Sequence, residues 1–330
     1  MVSLSKYPRK IIFGLHENSC NLACPKCLVH SESYPRGIEL RKTLGSMQIE
    51  SIIKVFEEVK DSRPTVSPSF WSEPLMNNKL FRKFVLEARA RNIPVTVNTN
   101  ALLITEVMAE FLVENLDQVS ISIDAMTKET LLKTRATDQL EKIKTAVFLL
   151  LEKRGAQRSP RIAVSFSAEE CNVCEREDFV DFWVQHVDAV RVNEVYSDKR
   201  KIEKEISTSE RYACREIYDS MTVDYDGVAR ICCLDGYRET NLGNVFEDGI
   251  HNVWHGDELK KIREIHETND YEKYKFCQTC EQWAGFKITK EKEDKDLLVR
   301  GNDFTTYYNR TDRLDTWSNE SKRDDSSTPA

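Results

Sequence analysis

The sequence predicts an α/β protein built on a parallel sheet, with a small cysteine-rich extension behind it. Three observations carry this. From Lys10 to Tyr196 short apolar runs alternate with longer amphipathic segments, the pattern of right-handed βαβ units. From about residue 209 the character changes to cysteines, tight turns and short strands. The ten cysteines fall in groups, at 20, 24 and 27, at 171 and 174, at 214, at 232 and 233, and at 277 and 280. A chain of 330 residues buries a large core without disulfide staples, so clustered cysteines point to metal or redox chemistry.

The strands expected are Lys10–Leu15, Thr65–Trp71, Val95–Asn98, Gln118–Ile123, Arg161–Phe166 and Val187–Asn193, each rich in Val, Ile or Phe and bounded by turn residues. Helical periods lie between them. One carries Ile52, Ile53, Phe56 and Val59, another Leu80, Phe81, Phe84, Val85 and Ala88, and a third Leu140, Ile143, Val147 and Leu150. About six units are too few for a closed eight-fold barrel. They suit an open partial barrel or a doubly wound sheet, with chemistry at the carboxyl ends of the strands. The charged stretch Lys199 to Glu205 reads as a linker. Short strands at Met221–Val223 and Val228–Cys232 and a helix at Asp257–Glu267 follow. The expected units are 1–206, 207–290 and a tail, 291–330. In that tail Phe304 to Arg310 reads as aromatic packing, and the last dozen residues as disordered.

Charge and hydropathy exclude several classes. The net charge of −7 does not favour a phosphate backbone, so no nucleic-acid partner is expected. The longest apolar run, Ala146 to Leu151, is too short to span a bilayer, and Met1 to Lys10 has no signal-peptide core. The expected address is cytoplasmic.

After the first strand comes Cys20-Asn21-Leu22-Ala23-Cys24-Pro25-Lys26-Cys27, a C-x3-C-x2-C spacing. Three soft thiolates on one loop can wrap a face of a [4Fe–4S] cube and leave one iron open. The alternative is a structural zinc site with His30 as fourth ligand.

This triplet, at this place in an α/β chain, resembles the signature of the radical S-adenosylmethionine (SAM) superfamily. The resemblance implies a partial (β/α)6 barrel whose open iron binds the amino and carboxylate groups of SAM. Reductive cleavage of SAM then gives a 5′-deoxyadenosyl radical that abstracts a hydrogen atom. Trp71-Ser72-Glu73-Pro74 is similar to the family's Gly-Gly-Glu-Pro motif, which implies that Glu73 holds the SAM amino group. Ser120-Ile121-Ser122-Ile123-Asp124 places polar groups on one strand face, and the resemblance makes Ser122 and Asp124 candidates for the ribose and methionine portions. Arg135 matches an arginine on the SAM carboxylate. Asn98, Asn100 and Ser165 sit at other strand ends. Lys26 departs from the family, which has an aromatic residue before the third cysteine.

Cys214, Gly227, Cys232 and the Cys277/Cys280 pair resemble the opening of the SPASM and twitch extensions, which carry auxiliary iron–sulfur clusters. No cysteine follows Cys280, so the resemblance implies one auxiliary [4Fe–4S] cluster with four protein ligands; a four-cysteine zinc site is the alternative. Cys233 is a candidate hydrogen-atom donor or a buried spectator, and Cys171/Cys174 a redox pair or inert.

The function implied is hydrogen-atom abstraction with SAM. The expected outcome is oxidation of an alcohol carbon of a sugar or aminocyclitol-type metabolite, with the second electron passing to the auxiliary cluster. Peptide side-chain modification or epimerisation is the alternative, and a zinc-stabilised binding module the non-enzyme reading. The implied partners are a small-molecule substrate and a low-potential electron donor such as flavodoxin or ferredoxin.

Overall fold

A computed structural model describes residues 4–16, 19–43, 45–197, 199–201 and 211–316. The barrel part runs β1 (Lys10–Phe13), α1 (Pro35–Leu40), α2 (Ile49–Val59), β2 (Thr65–Ser67), α3 (Asn78–Arg89), β3 (Thr96–Thr99), α4 (Glu106–Asn115), β4 (Gln118–Ser122), α5 (Lys128–Arg135), α6 (Leu140–Arg154), β5 (Arg161–Ala168), α7 (Arg176–Trp183) and β6 (Ala189–Glu194). Then come α8 (Glu216–Asp219), β7 (Ser220–Val223), β8 (Ala229–Arg230), α9 (Val245–Asp248), α10 (Ile250–Trp254), α11 (Asp257–Glu267) and α12 (Lys275–Gln278). The meander β9 (Lys290–Asp294), β10 (Leu297–Gly301) and β11 (Thr305–Arg310) closes the order.

One sheet has the order β2-β1-β7-β8 and the other β3-β4-β5-β6-β11-β10-β9, and a parallel bridge between Val66 and Val95 joins them. All pairings from β1 through β6 are parallel. The result is the open partial (β/α)6 barrel.

Alternation explains which face is which. Ile11 and Phe13 are fully buried under the helices, and Phe13 meets Phe56 and Phe84 edge-on at 5.8 and 5.3 Å. Successive strand residues point to opposite faces, so Lys10 and Ile12 look into the lumen, and their register partners Ser220 and Thr222 share that face. The same logic gives the lumen Ser120, Ser122, Ser165, Arg191 and Asn193, while Val119, Ile121, Val164, Val190 and Val192 pack outward at no more than 3% exposure. Sequence alternation thus yields a polar lumen inside an apolar shell. Side-chain caps fix where several helices start: Asn77 accepts from Leu80 N–H, Thr105 from Met108 N–H and Thr127 from Thr130 N–H.

The structure departs from expectation in the tail. No strands were expected between 290 and 310, yet β11 pairs antiparallel with β6, Tyr308 opposite Val190, and carries β10 and β9 outward. Phe304 to Arg310 is therefore mostly a sheet strand, beyond aromatic packing. The second expected short strand shrinks to Ala229–Arg230, because the chain turns away at Ile231 to meet Thr240. The linker's residues from 202 onward and the last dozen residues lie outside the described residues.

Candidate functional site

The triplet loop leaves the carboxyl end of β1 and is held by the end of β2. Ser19 carbonyl accepts Glu73 N–H at 2.8 Å, and Leu22 is buried beneath the loop. Cys27 N–H closes a turn on Cys24 carbonyl, and α1 packs so tightly that a Cβ on Gly37 would sit 2.1 Å from Leu28 carbonyl. Backbone N–H groups aim at two of the sulfurs, Leu22 at Cys20 Sγ (3.5 Å) and His30 at Cys27 Sγ (3.4 Å). Burial pushes all three thiols up, that of Cys20 to about 12; the charges of Cys24 and Cys27 add to the rise at Cys20, and that of Cys27 to the rise at Cys24. Three soft sulfurs in mutual electrostatic reach, with amide donors placed for their ionised forms, fit an iron–sulfur cluster. His30 turns its Nε2 to Trp71 carbonyl at 2.9 Å, which takes that nitrogen from the zinc alternative.

Around the triplet the structure gathers most of the expected residues. Arg135 ends α5, its carbonyl accepts Cys24 S–H at 3.7 Å, and its Nη2 lies 2.5 Å from Asp124 Oδ2. Burial opposes the guanidinium charge, but Asp124 and the Cys24 and Cys20 thiols outweigh it and raise the pKa. Arg135 Nε is buried with no partner among the described residues, an N–H placed to receive a carboxylate. Asp124 sits in the left-handed region at φ 65° and also accepts Ser167 N–H at 2.7 Å, so its carboxylate orients Arg135. Glu73 is 3% exposed and accepts from Thr99 Oγ1 (2.7 Å), Asn100 N–H (2.8 Å) and Leu75 N–H (3.3 Å). Burial raises its pKa against those three bonds. Asn100 bridges to the triplet loop, donating to Asn21 Oδ1 at 2.7 Å and lying 4.0 Å from Cys20 Sγ. Ser122 is half-buried at the end of β4, in register with Ser165. Asn98 is exposed and exchanges hydrogen bonds with Ser69 instead.

Sequence reasoning missed Asn172. This fully buried side chain donates to Asp124 and Ser167 carbonyls at 2.9 Å each and caps Glu169 N–H at 2.7 Å, thereby holding Asp124 in its strained turn. The Cys171–Cys174 segment is thus anchored by the asparagine between its cysteines; Cys174 is exposed and Cys171 half-buried.

The second cysteine set converges from remote segments. Gly227, at φ 88°, turns β7 into β8, where a Cβ would meet Asn244 Oδ1 at 2.4 Å. Cys232 follows, and Cys277 and Cys280 frame the turn after α12, with Cys280 N–H on Cys277 carbonyl at 3.2 Å. Cys232, Cys277 and Cys280 are each at most 9% exposed. Burial raises all four thiols, Cys214 and Cys232 strongly, and the charge of Cys280 adds to the rise at Cys214, Cys232 and Cys277. Arg211 donates to the Cys277 and Gln278 carbonyls at 2.6 and 2.9 Å, and Arg200 to Phe276 carbonyl at 3.2 Å, so two cations brace the turn. His266 Nδ1 accepts Cys214 N–H at 3.2 Å, and burial followed by Arg211 lowers its pKa to about 4. The ring is neutral, and its buried Nε2 has no partner among the described residues. Four soft ligands, three buried and Cys214 half-buried, with cationic and N–H surroundings fit a fully ligated iron–sulfur cluster.

A partial barrel that presents three thiols beyond its first strand, with an arginine from the end of α5 beside them and a second, largely buried set of four thiols, defines an iron–sulfur enzyme of the SAM-cleaving type. Residues 15–156 match the radical SAM superfamily, and residues 214–281 match the SPASM iron–sulfur cluster-binding domain. The chain belongs to the radical SAM superfamily and carries a SPASM-type domain. Its cofactors are a [4Fe–4S] cluster with SAM and auxiliary iron–sulfur in the second domain, which displaces the zinc-module reading. Among solved structures, BtrN in complex with AdoMet and 2-DOIA aligns over 83% of this chain and 92% of its own, at 15% identity and a TM-score of 0.56. SuiB of Streptococcus suis bound to the precursor peptide SuiA aligns over 78% and 67%, at 16% identity and a TM-score of 0.62. For anSMEcpe with bound AdoMet the figures are 82% and 87%, 16% and 0.62. At these identities the likeness is one of fold. A search of curated proteins finds no match. Among the described residues no helix is long and apolar enough to cross a membrane.

Proposed function

We propose that this enzyme oxidises an alcohol carbon of a sugar or aminocyclitol-type metabolite to a carbonyl. The observation that carries the reading is the lumen. Glu216 Oε2 and Thr222 Oγ1 are buried there with no partner among the described residues. Lys10 and Arg191 lie within electrostatic reach of Glu216, and Ser220 hydrogen-bonds it. Buried polar atoms without partners are costly, and a molecule dense in hydroxyl and amino groups satisfies them as an apolar side chain does not. The fold likeness to BtrN, whose crystal structure holds AdoMet and 2-DOIA, is in keeping with that reading.

In this reading Cys20, Cys24 and Cys27 hold the first cluster, and Cys214, Cys232, Cys277 and Cys280 the second. When bound, the first cluster and SAM supply the radical that takes a hydrogen atom, and the second accepts an electron. The substrate C–H beside a hydroxyl thus loses a hydrogen atom, an electron and the hydroxyl proton, leaving a C=O bond. Arg135 binds the SAM carboxylate, with Asp124 aligning the guanidinium. Glu73 meets the amino group while joining the ends of β2 and β3, and Ser122 meets the ribose. The reducing electron comes from a low-potential donor such as flavodoxin or ferredoxin. The units 1–206, 207–290 and 291–330 serve as barrel, auxiliary-cluster domain and tail, the tail's first strands completing the barrel sheet.

The test is label transfer. Anaerobically reconstituted protein, given SAM, dithionite and carbon-deuterated sugars and aminocyclitols, should move deuterium into 5′-deoxyadenosine and form a ketone from at least one. Transfer from peptides alone would replace this reading with side-chain modification, which the fold likeness to peptide-bound SuiB favours.

A further inference from the structure

Trp71 occupies the position at which the motif resembled in the sequence has its first glycine, and it keeps a glycine's backbone. Its φ is 47°, in the left-handed region that a bulky residue avoids. Such strain persists where the surroundings over-determine it, and here three contacts do. Trp71 carbonyl accepts His30 Nε2 at 2.9 Å, and His30 lies three residues past Cys27. Its indole Nε1–H donates to Cys233 carbonyl at 2.9 Å, in the residue beside Cys232. Its ring lies against Gly236, where a Cβ would come within 2.6 Å of Trp71 Cε2. The glycine missing from the motif strand is matched by one in the facing loop.

We propose that Trp71 is a positioning residue that couples the two cluster sites, holding the loop from Cys232 to Glu239 against the SAM side of the barrel. The chain of contacts is continuous: the triplet loop through His30 to the Trp71 backbone, then the indole to the peptide next to an auxiliary-site ligand. A second tie joins the same two parts. Arg36, in the helix after the triplet, reaches Glu239 Oε1 at 2.7 Å and Tyr237 carbonyl at 3.2 Å, its guanidinium 4.7 Å over the Tyr237 ring. That tie is solvent-exposed and screened. Trp71 is the partly buried one, and its N–H has a single directed partner. A shift of either loop is transmitted to the other through this side chain, so SAM binding is felt at the auxiliary site. The inference needs both clusters but not the dehydrogenase reading, and it holds whichever substrate is used.

The test uses the full chain, reconstituted anaerobically, with two substitutions. Trp71→Phe keeps a ring and removes the N–H donor, and Gly236→Ala pushes on the indole without touching a ligand. Both should retain about eight irons and the SAM-induced change in the first cluster's electron paramagnetic resonance. In both, amide exchange across residues 233–239 should quicken roughly fivefold, the loss of one net hydrogen bond. The auxiliary-cluster spectrum, which shifts on SAM addition in the unaltered protein, should lose that shift. If Trp71→Phe fails to load iron, Gly236→Ala decides alone. Wild-type exchange in 233–239, or an auxiliary spectrum that still answers to SAM in the variants or never does in the parent, overturns the proposal.

Discussion

The two cysteine sites solve opposite problems. The triplet is local: three half-buried thiols from eight consecutive residues, with Arg135 Nε unbonded among the described residues beside them. The second set is assembled from segments far apart in sequence, has three of its four thiols buried and Cys214 half-buried, and is braced by Arg200 and Arg211 through backbone carbonyls. A local loop can supply only part of a cluster's ligands, so the remaining face stays available to a small molecule. A non-local set can close all four corners, which suits electron storage and excludes direct substrate ligation. What differs is the number of chain segments that must converge, not the ligand type.

The largest expected effect separates the sites by activity. Cys24→Ala should reduce SAM cleavage to background, measured as 5′-deoxyadenosine under dithionite. Residual cleavage near the parent rate would mean the triplet is not the SAM site. Cys280→Ala comes next: iron should fall from about eight to about four, with SAM cleavage persisting and oxidised product lost. Product formation at the parent level in that variant would detach the auxiliary site from the reaction. Arg135→Lys keeps a charge but loses the planar fork, so SAM affinity should drop about tenfold with both clusters intact. An unchanged dissociation constant would place the carboxylate elsewhere. Asn172→Ala is the smallest, since it acts on Asp124 through backbone contacts. SAM should bind several-fold more weakly and the melting temperature fall by a few degrees, from buried groups left unsatisfied by about 1–3 kcal/mol. A melting change without an affinity change would limit Asn172 to stability.

Much of this was legible in the sequence because it is periodic or local. The strands of the barrel alternate apolar residues with polar ones, and the helix at Asp257–Glu267 was readable to its ends. The triplet spacing is a local pattern that needs no tertiary knowledge. Strand β9, Lys-Glu-Lys-Glu-Asp, was not readable, because an exposed edge strand carries charges on both faces and no alternation. Strand β11 owes its state to β6, more than a hundred residues earlier. Asn172 and Trp71 were missed for the same reason: their partners Asp124 and Cys233 lie 48 and 162 positions away. The lumen's Glu216 and Thr222, with Oε2 and Oγ1 unbonded among the described residues, gave no signal, since only folding brings Glu216 to Lys10 and Arg191 and Thr222 beside Ile12.

The contrast between an open and a closed site is tested most directly by electron–nuclear double resonance with SAM isotopically labelled in its carboxylate. In the reduced parent protein the label should couple to a [4Fe–4S] signal, and in a chain with Cys20, Cys24 and Cys27 all changed to alanine that coupling should vanish while the auxiliary signal remains. Coupling that survives in the altered chain would place SAM on the four-cysteine cluster and contradict the account.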